Sequence, residues 1–142
     1  MPAEIVFNEE TMRFIGLFQD MTKTTVLDCL DGDDKLVFVV KNGEIGKAVG
    51  KKGENIARLK RMLNKEVQVV EFSENPEEFV KNVFRNYDVR KVEIEERGDV
   101  VHATVTVDPG KKGRAIGKEG RNLRLARNLI ARHHNIQSVS VA

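Results

Sequence analysis
The sequence predicts an α+β protein made of two copies of one small unit, each a three-stranded sheet packed against helices. Three observations carry this. A shift of 67 residues lays Gly46-Lys-Ala-Val-Gly50-Lys-Lys-Gly53-Glu-Asn55-Ile56 on Gly113-Arg-Ala-Ile-Gly117-Lys-Glu-Gly120-Arg-Asn122-Leu123 without a gap, and Gly46, Gly50, Gly53 and Asn55 all meet identical residues. The same shift places the strand-like run Leu36 to Val40 on Ala103 to Val107, and carries Ile56, Leu59, Met62 and Leu63 onto Leu123, Ala126, Leu129 and Ile130. Hydrophobic periodicity also changes between helical and strand spacing in the same order in both copies. One offset that satisfies all three marks a duplication.

In the first copy, Phe14, Leu17, Phe18 and Met21 recur at helical spacing. Thr24 to Leu30 and Lys35 to Lys41 read as strands joined by the turn Asp31-Gly32-Asp33-Asp34. A short helix follows around Glu44 to Val49, then the Gly50 to Gly53 turn, a basic helix to about Asn64 and a last strand from Val67 to Phe72. The second copy opens with Phe79, Val80, Val83, Phe84 and Tyr87 on one helical stripe. Val92 and Ile94 alternate with Lys91, Glu93 and Glu95, and Val101, Ala103, Val105 and Val107 alternate with His102, Thr104 and Thr106, so two strands flank the turn Arg97-Gly98-Asp99. A short helix from about Lys111, the Gly117 to Gly120 turn, a long helix to about His133 and a strand from Ile136 to Val141 complete it. Segregated helices and mainly hairpin-linked strands predict one sheet and one helical layer per copy. Ser73-Glu74-Asn75-Pro76 is the linker, with Pro76 suited to a first helical turn and Ser73 or Asn75 to its cap. The expected domains are residues 1–72 and 73–142.

Composition narrows the function. With 40% hydrophobic and 32% charged residues the chain is apolar enough to fold and too apolar for wholesale disorder. The longest aliphatic and aromatic run, Leu36 to Val40, is far too short to span a bilayer, and the acidic N-terminus is unlike a signal peptide. A soluble, cytoplasmic protein is the expectation. Cys29 has no second cysteine to pair with and sits among Val26, Leu27 and Leu30, so it reads as a small buried hydrophobe.

The net charge of +2 hides two basic segments. Lys41 to Lys65 holds eight basic residues against Glu44 and Glu54, and Asp108 to Arg132 holds eight against Asp108 and Glu119, a local balance of +6 in each. Cations confined to equivalent stretches can build a polyanion-binding face on an otherwise acidic chain.

Each segment contains a Gly-X-X-Gly turn between two helices. Glycines let another backbone approach closely, and the helix that follows offers unpaired N–H groups and its positive dipole end to a phosphate. A triphosphate-binding loop would need glycine where Ile45 and Lys112 stand and a hydroxyl where Lys52 and Glu119 stand, so it is excluded, and the Gly46, Gly50, Gly53 spacing is not a dinucleotide fingerprint. His133 and His134 are adjacent and so predicted to point to different sides of a helix, while His102 is isolated; surface or helix-end histidines are expected, not metal ligands. Glu93, Glu95 and Glu96 read as a solvated sheet face. No aromatic lies in either basic segment, which argues against a stacking sheet of the RRM kind. A binding protein without enzymatic activity, cofactor, metal or small-molecule substrate is predicted.

The stretches Val49 to Ile56 and Ile116 to Leu123 resemble the signature of KH domains, whose GXXG loop clamps the backbone of about four nucleotides. Two strands before the glycine turn and one after it resemble the type II KH arrangement. Two tandem type II KH domains resemble the KH pair of the NusA transcription factors, and in compact form the archaeal NusA-like proteins. The bacterial proteins carry a polymerase-binding domain and an S1 domain in addition, for which 142 residues leave no room.

The resemblance implies a single-stranded RNA-binding factor acting on nascent RNA in transcription elongation, termination or antitermination, with RNA polymerase or other transcription factors as protein partners. Carried over by position, the RNA-binding residues are Gly50, Lys51, Lys52 and Gly53 of one loop and Gly117, Lys118, Glu119 and Gly120 of the other. Lys47, Asn55 and Arg58 flank the first, and Arg114, Arg121, Asn122 and Arg124 the second. Asn55 and Asn122 reach either a base or the loop backbone. KH modules also serve ribosome assembly or translation, and protein-interaction scaffolds; these are the alternative readings.

Overall fold
Asn8 starts the first helix. Its side-chain oxygen accepts from the Thr11 N–H at 2.7 Å, and Thr11 Oγ1 accepts from the Asn8 N–H at 3.1 Å, so two otherwise orphan donors are satisfied reciprocally. In the computed structural model, which describes residues 7–32 and 34–142, this helix, α1, spans Glu9–Thr22. It stops at Lys23, whose left-handed backbone returns its N–H to the Gln19 carbonyl at 2.8 Å.

The strands β1 (Val26–Asp31) and β2 (Lys35–Val40) pair antiparallel, with Leu30 opposite Val37. The Gly32 N–H donates to the Lys35 carbonyl across their turn; Asp33 of that turn and residues 1–6 of the expected first domain lie outside the described residues. Two helices, α2 (Ile45–Val49) and α3 (Glu54–Leu63), then carry the chain over to β3 (Glu66–Glu71), which lies parallel to β2 with Leu36 opposite Val67. Parallel strands need such a crossover, and it lays both helices on the sheet. Phe18 and Phe38 stack with ring centroids 4.3 Å apart in a core with Leu36, Val40, Ala48, Leu59 and the buried Cys29. Val37 and Val39 are buried as well, so the central strand is covered on both faces, as its unbroken apolar run requires. The described residues up to Phe72 form one compact unit.

Ser73–Ala142 forms a second unit. Asn75 caps its first helix, α4 (Pro76–Val83), by accepting from the Glu78 N–H at 3.0 Å; Pro76 takes the first turn, and Ser73 Oγ accepts from the Asn75 N–H at 3.2 Å. The apolar stripe predicted one helix to Tyr87, but the α-helix ends at Val83 and a 3-10 turn, Arg85–Tyr87, completes the segment. Then come β4 (Val89–Arg97) and β5 (Val100–Val107), antiparallel, followed by α5 (Lys112–Ile116), α6 (Arg121–His133) and β6 (Ser138–Val141), parallel to β5. Each unit therefore has a three-stranded sheet in chain order with helices packed on it, the predicted α+β class. Near the β4–β5 turn the alternation no longer buries its apolar side: Ile94 and Val100 are 36% and 39% exposed, because this hairpin is longer than its counterpart.

Two histidine expectations fail. His102 is buried within the sheet, its Nδ1 2.7 Å from Ser138 Oγ and its Nε2 3.0 Å from Ser140 Oγ, because β6 presents two hydroxyls on the same face at strand spacing. His133 ends α6 while His134 is extended (φ −140°, ψ 159°), so both rings pack near Phe79, with centroids 5.4 and 5.3 Å away, instead of diverging around a helix. Among the described residues there is no group of three or more His, Cys, Asp or Glu able to hold a metal, and no helix long and apolar enough to cross a membrane.

Candidate nucleic-acid interface
The glycine turn of the first unit has a backbone that requires glycine where it leaves α2. Gly50 leaves α2 at φ 81° and ψ 169°, a region closed to residues with a Cβ; Lys52 (φ 54°, ψ 29°) and Gly53 (φ 72°, ψ 18°) then adopt left-handed conformations before α3 begins. The Gly53 N–H closes the turn on the Gly50 carbonyl at 3.1 Å. A Cβ on Gly50 would lie 2.9 Å from both Cγ and Nδ2 of Asn55, whose amide donates to the Lys47 carbonyl at 3.1 Å. Asn55 thereby ties the start of α3 to the short helix α2 and holds the loop between them.

The second unit repeats the conformation: Gly117 at φ 81° and ψ 166°, Glu119 at φ 57° and ψ 24°, Gly120 at φ 73° and ψ 14°. The Gly120 N–H donates to the Gly117 carbonyl at 3.0 Å. A Cβ on Gly117 would meet the Asn122 backbone N at 2.8 Å and its Cβ at 2.9 Å. The Asn122 amide reaches the Ala115 carbonyl at 2.6 Å, one residue further along than the position matching Lys47.

Charge is distributed differently in the two loops. Lys51 and Lys52 are exposed at the tip of the first, and among the described residues neither they nor Lys47 nor Arg58 has an ion-pair partner. Arg58 lies three residues beyond Asn55, a neighbour on the same helical surface. Further along, Lys60 pairs with Glu66 at 3.2 Å and Lys65 with Asp31 at 3.3 Å, so these two cations are already engaged within the unit. In the second unit only Lys118 is basic within the turn. Arg124 donates to the Glu119 carbonyl at 2.6 Å and Arg121 lies 3.6 Å from the Glu119 carboxylate, so these two arginines partly neutralise and brace their own loop. Lys111 is engaged by Asp88 at 2.7 Å, which holds the Asp88 carboxyl below its usual range. Arg114 is exposed on α5.

One aromatic reaches this region that the sequence pattern assigned to a core stripe. Tyr87, in the 3-10 turn after α4, lies within electrostatic reach of Arg114 and Asn122. Burial of its hydroxyl raises its pKa above the ordinary tyrosine value, against the opposing pull of Arg114 and Asn122, so it is un-ionised at neutral pH. Its sequence signal was its amphipathic end: it is the one residue of the stripe with a polar tip to satisfy.

Two helices joined by a strained glycine turn, repeated with matching dihedral angles and set behind a three-stranded sheet, define the tandem KH class. Comparison with known proteins agrees: a KH domain profile matches residues 16–74, and the NusA-like second KH domain profile matches residues 76–142. The probable transcription termination protein NusA of Thermoplasma acidophilum is 33% identical over 97% of this chain and 96% of its own length. That of Methanocaldococcus jannaschii is 30% identical over 98% of this chain and 76% of its own. The crystal structure of APE1850 superposes with a TM-score of 0.75 and 32% identity over 96% of this chain and all of that one. The chain belongs to the NusA-like family of tandem KH proteins.

Proposed function
We propose that residues 1–72 and 73–142 are two RNA-binding modules that grip the backbone of single-stranded RNA at their glycine loops, in a non-enzymatic cytoplasmic factor that acts on nascent transcripts. The observation that carries this is the pair of Gly50–Gly53 and Gly117–Gly120 loops in one shared conformation, the first with two exposed lysines at its tip that have no ion-pair partner among the described residues. A phosphate lying against Gly53, whose Cβ position faces open space, would meet no side chain there, and Lys51, Lys52, Lys47 and Arg58 supply positive charge around the loop. In the second module Lys118 and Arg114 take that part, with Arg121 and Arg124 shared between the loop and the ligand. Asn55 and Asn122 hold the loops in shape.

The link to transcription rests on relatives named as probable transcription termination proteins. It implies association with RNA polymerase or other transcription factors. Cross-linking in cells followed by sequencing of the bound RNA tests it: recovery of nascent transcripts, with polymerase in the same complexes, is expected. Recovery confined to ribosomal RNA precursors would move the protein to ribosome assembly.

A further inference from the structure
The long β4–β5 hairpin leaves a free sheet edge. In the second unit the strand order is β4-β5-β6, so among the described residues β4 is paired on one side only. It is nine residues long, and every residue in it except Val89 and Val92 is exposed. The other edge strands, β1, β3 and β6, are shorter and mostly buried or half-buried. An exposed edge presents a row of unpaired N–H and C=O groups to any further strand whose side chains suit it.

The order of side chains along β4 selects that strand. Strand period puts Lys91, Glu93, Glu95 and Arg97 on one face of β4 and Val92 and Ile94 on the other. Two identical strands pair antiparallel about a two-fold axis, so each residue before the axis meets the one equally far beyond it. With the axis at Glu93, the midpoint of β4, Lys91 meets Glu95 and Val92 meets Ile94, and symmetry makes each contact twice. The exposed Ile94 thereby gains an apolar neighbour.

Neighbouring registers lack this match. An axis at Ile94 sets Glu93 against Glu95 and Lys91 against Arg97, all like-charged. An axis at Glu95 sets Ile94 against Glu96. An axis at Val92 brings the bulge between Val89 and Lys91 opposite Glu93 to Glu95. In the Glu93 register the like-charge contact is Glu93 against its own copy, with the Lys91 ammonium 3.5 Å away in the same chain. Charges on an edge strand ordinarily keep copies apart. Here their order makes the edge complementary to itself.

We infer that β4 is a self-association edge: two copies of this chain pair their β4 strands antiparallel about Glu93, joining two three-stranded sheets into one continuous sheet. An interface one strand wide is small, so the dimer is weak, with a dissociation constant on the order of 100 μM.

Sedimentation velocity of the intact protein without RNA, at low salt and from about 5 to about 500 μM, should show a rise toward twice the monomer mass. Lys91→Glu turns both Lys91–Glu95 contacts into like-charge pairs and should weaken dimerisation at least about tenfold. Lys91→Glu combined with Glu95→Lys exchanges the two charges and should restore it to within about threefold of the parent. Glu93→Gln removes the like-charge contact and should tighten the dimer. All three positions are exposed, and thermal melts check that the variants fold. A protein that stays monomeric across that range would overturn the inference. So would a dimer that a folded Lys91→Glu variant leaves intact, or that the double exchange fails to restore.

Discussion
The two glycines of one loop should not be equivalent, and the difference can be worked from their surroundings. Gly50 combines a backbone region that is essentially glycine-only, worth about 1–3 kcal/mol of strain for any other residue, with a Cβ position 2.9 Å from the Asn55 side chain. Relief requires Asn55 to leave the Lys47 carbonyl, which costs about 0.5–1.5 kcal/mol for the hydrogen bond. Gly50→Ala should therefore cost roughly 2–4 kcal/mol. Gly53 sits in the ordinary left-handed region at φ 72° with no atom within 4 Å of its Cβ position, so Gly53→Ala should cost only about 1–2 kcal/mol. Amide hydrogen exchange at Phe38 and Val39, fully buried in β2, reads the opening of the first unit within the intact chain. Exchange should accelerate at least about thirtyfold in Gly50→Ala and by less in Gly53→Ala, since 1.4 kcal/mol is about tenfold. Equal acceleration in the two, or a larger effect at Gly53, would show that the strained exit from α2 and the Asn55 brace are not what holds the loop.

Two further outcomes follow from the site. The Asp88 carboxyl is held below its usual range by Lys111, so the stability it contributes is present above the ordinary carboxylate pKa and disappears as pH falls through its lowered value. Unfolding followed from neutral to strongly acid pH should show this decline in the parent and a weaker acid dependence in Asp88→Asn, a residue that tolerates the left-handed backbone there; identical profiles would contradict it. Single-stranded RNA should bind better than duplex at the same salt, because a groove beside a glycine loop takes splayed bases that a duplex keeps stacked; equal affinities would count against a KH-type mode.

Much of this was legible in the sequence because the repeat gave two readings of each signal. Gly50 and Gly117 needed no structure to be singled out, since a glycine recurring at one offset between two amphipathic helices has a local cause that sequence carries. The order of helices and strands followed from periodicity for the same reason, and the caps at Asn75 and Pro76 from local hydrogen-bond chemistry. What was missed depends on contacts between distant segments. His102 looked isolated because Ser138 and Ser140 come beside it only through the parallel pairing of β5 with β6. Tyr87 looked like one more turn of the helix because the stripe was read as continuous; the α-helix ends at Val83 and Tyr87 closes a 3-10 turn whose boundary the apolar spacing does not mark. Counting Lys60, Lys65 and Lys111 as free positive charge overstated the basic face, since their acidic partners lie in other elements.

The central claim is that the first glycine loop grips RNA phosphate through Lys51 and Lys52. The most direct measurement is the affinity of the intact protein and of its Lys51→Asp, Lys52→Asp variant for one single-stranded RNA over a range of salt concentrations. The variant should fold normally, since both positions are exposed and aspartate accepts the left-handed backbone of position 52. Its affinity should fall, and its salt dependence should flatten by a slope of about 0.7 for each phosphate that the loop no longer neutralises. A folded variant that binds the same RNA with parental affinity and an unchanged salt slope would contradict the claim.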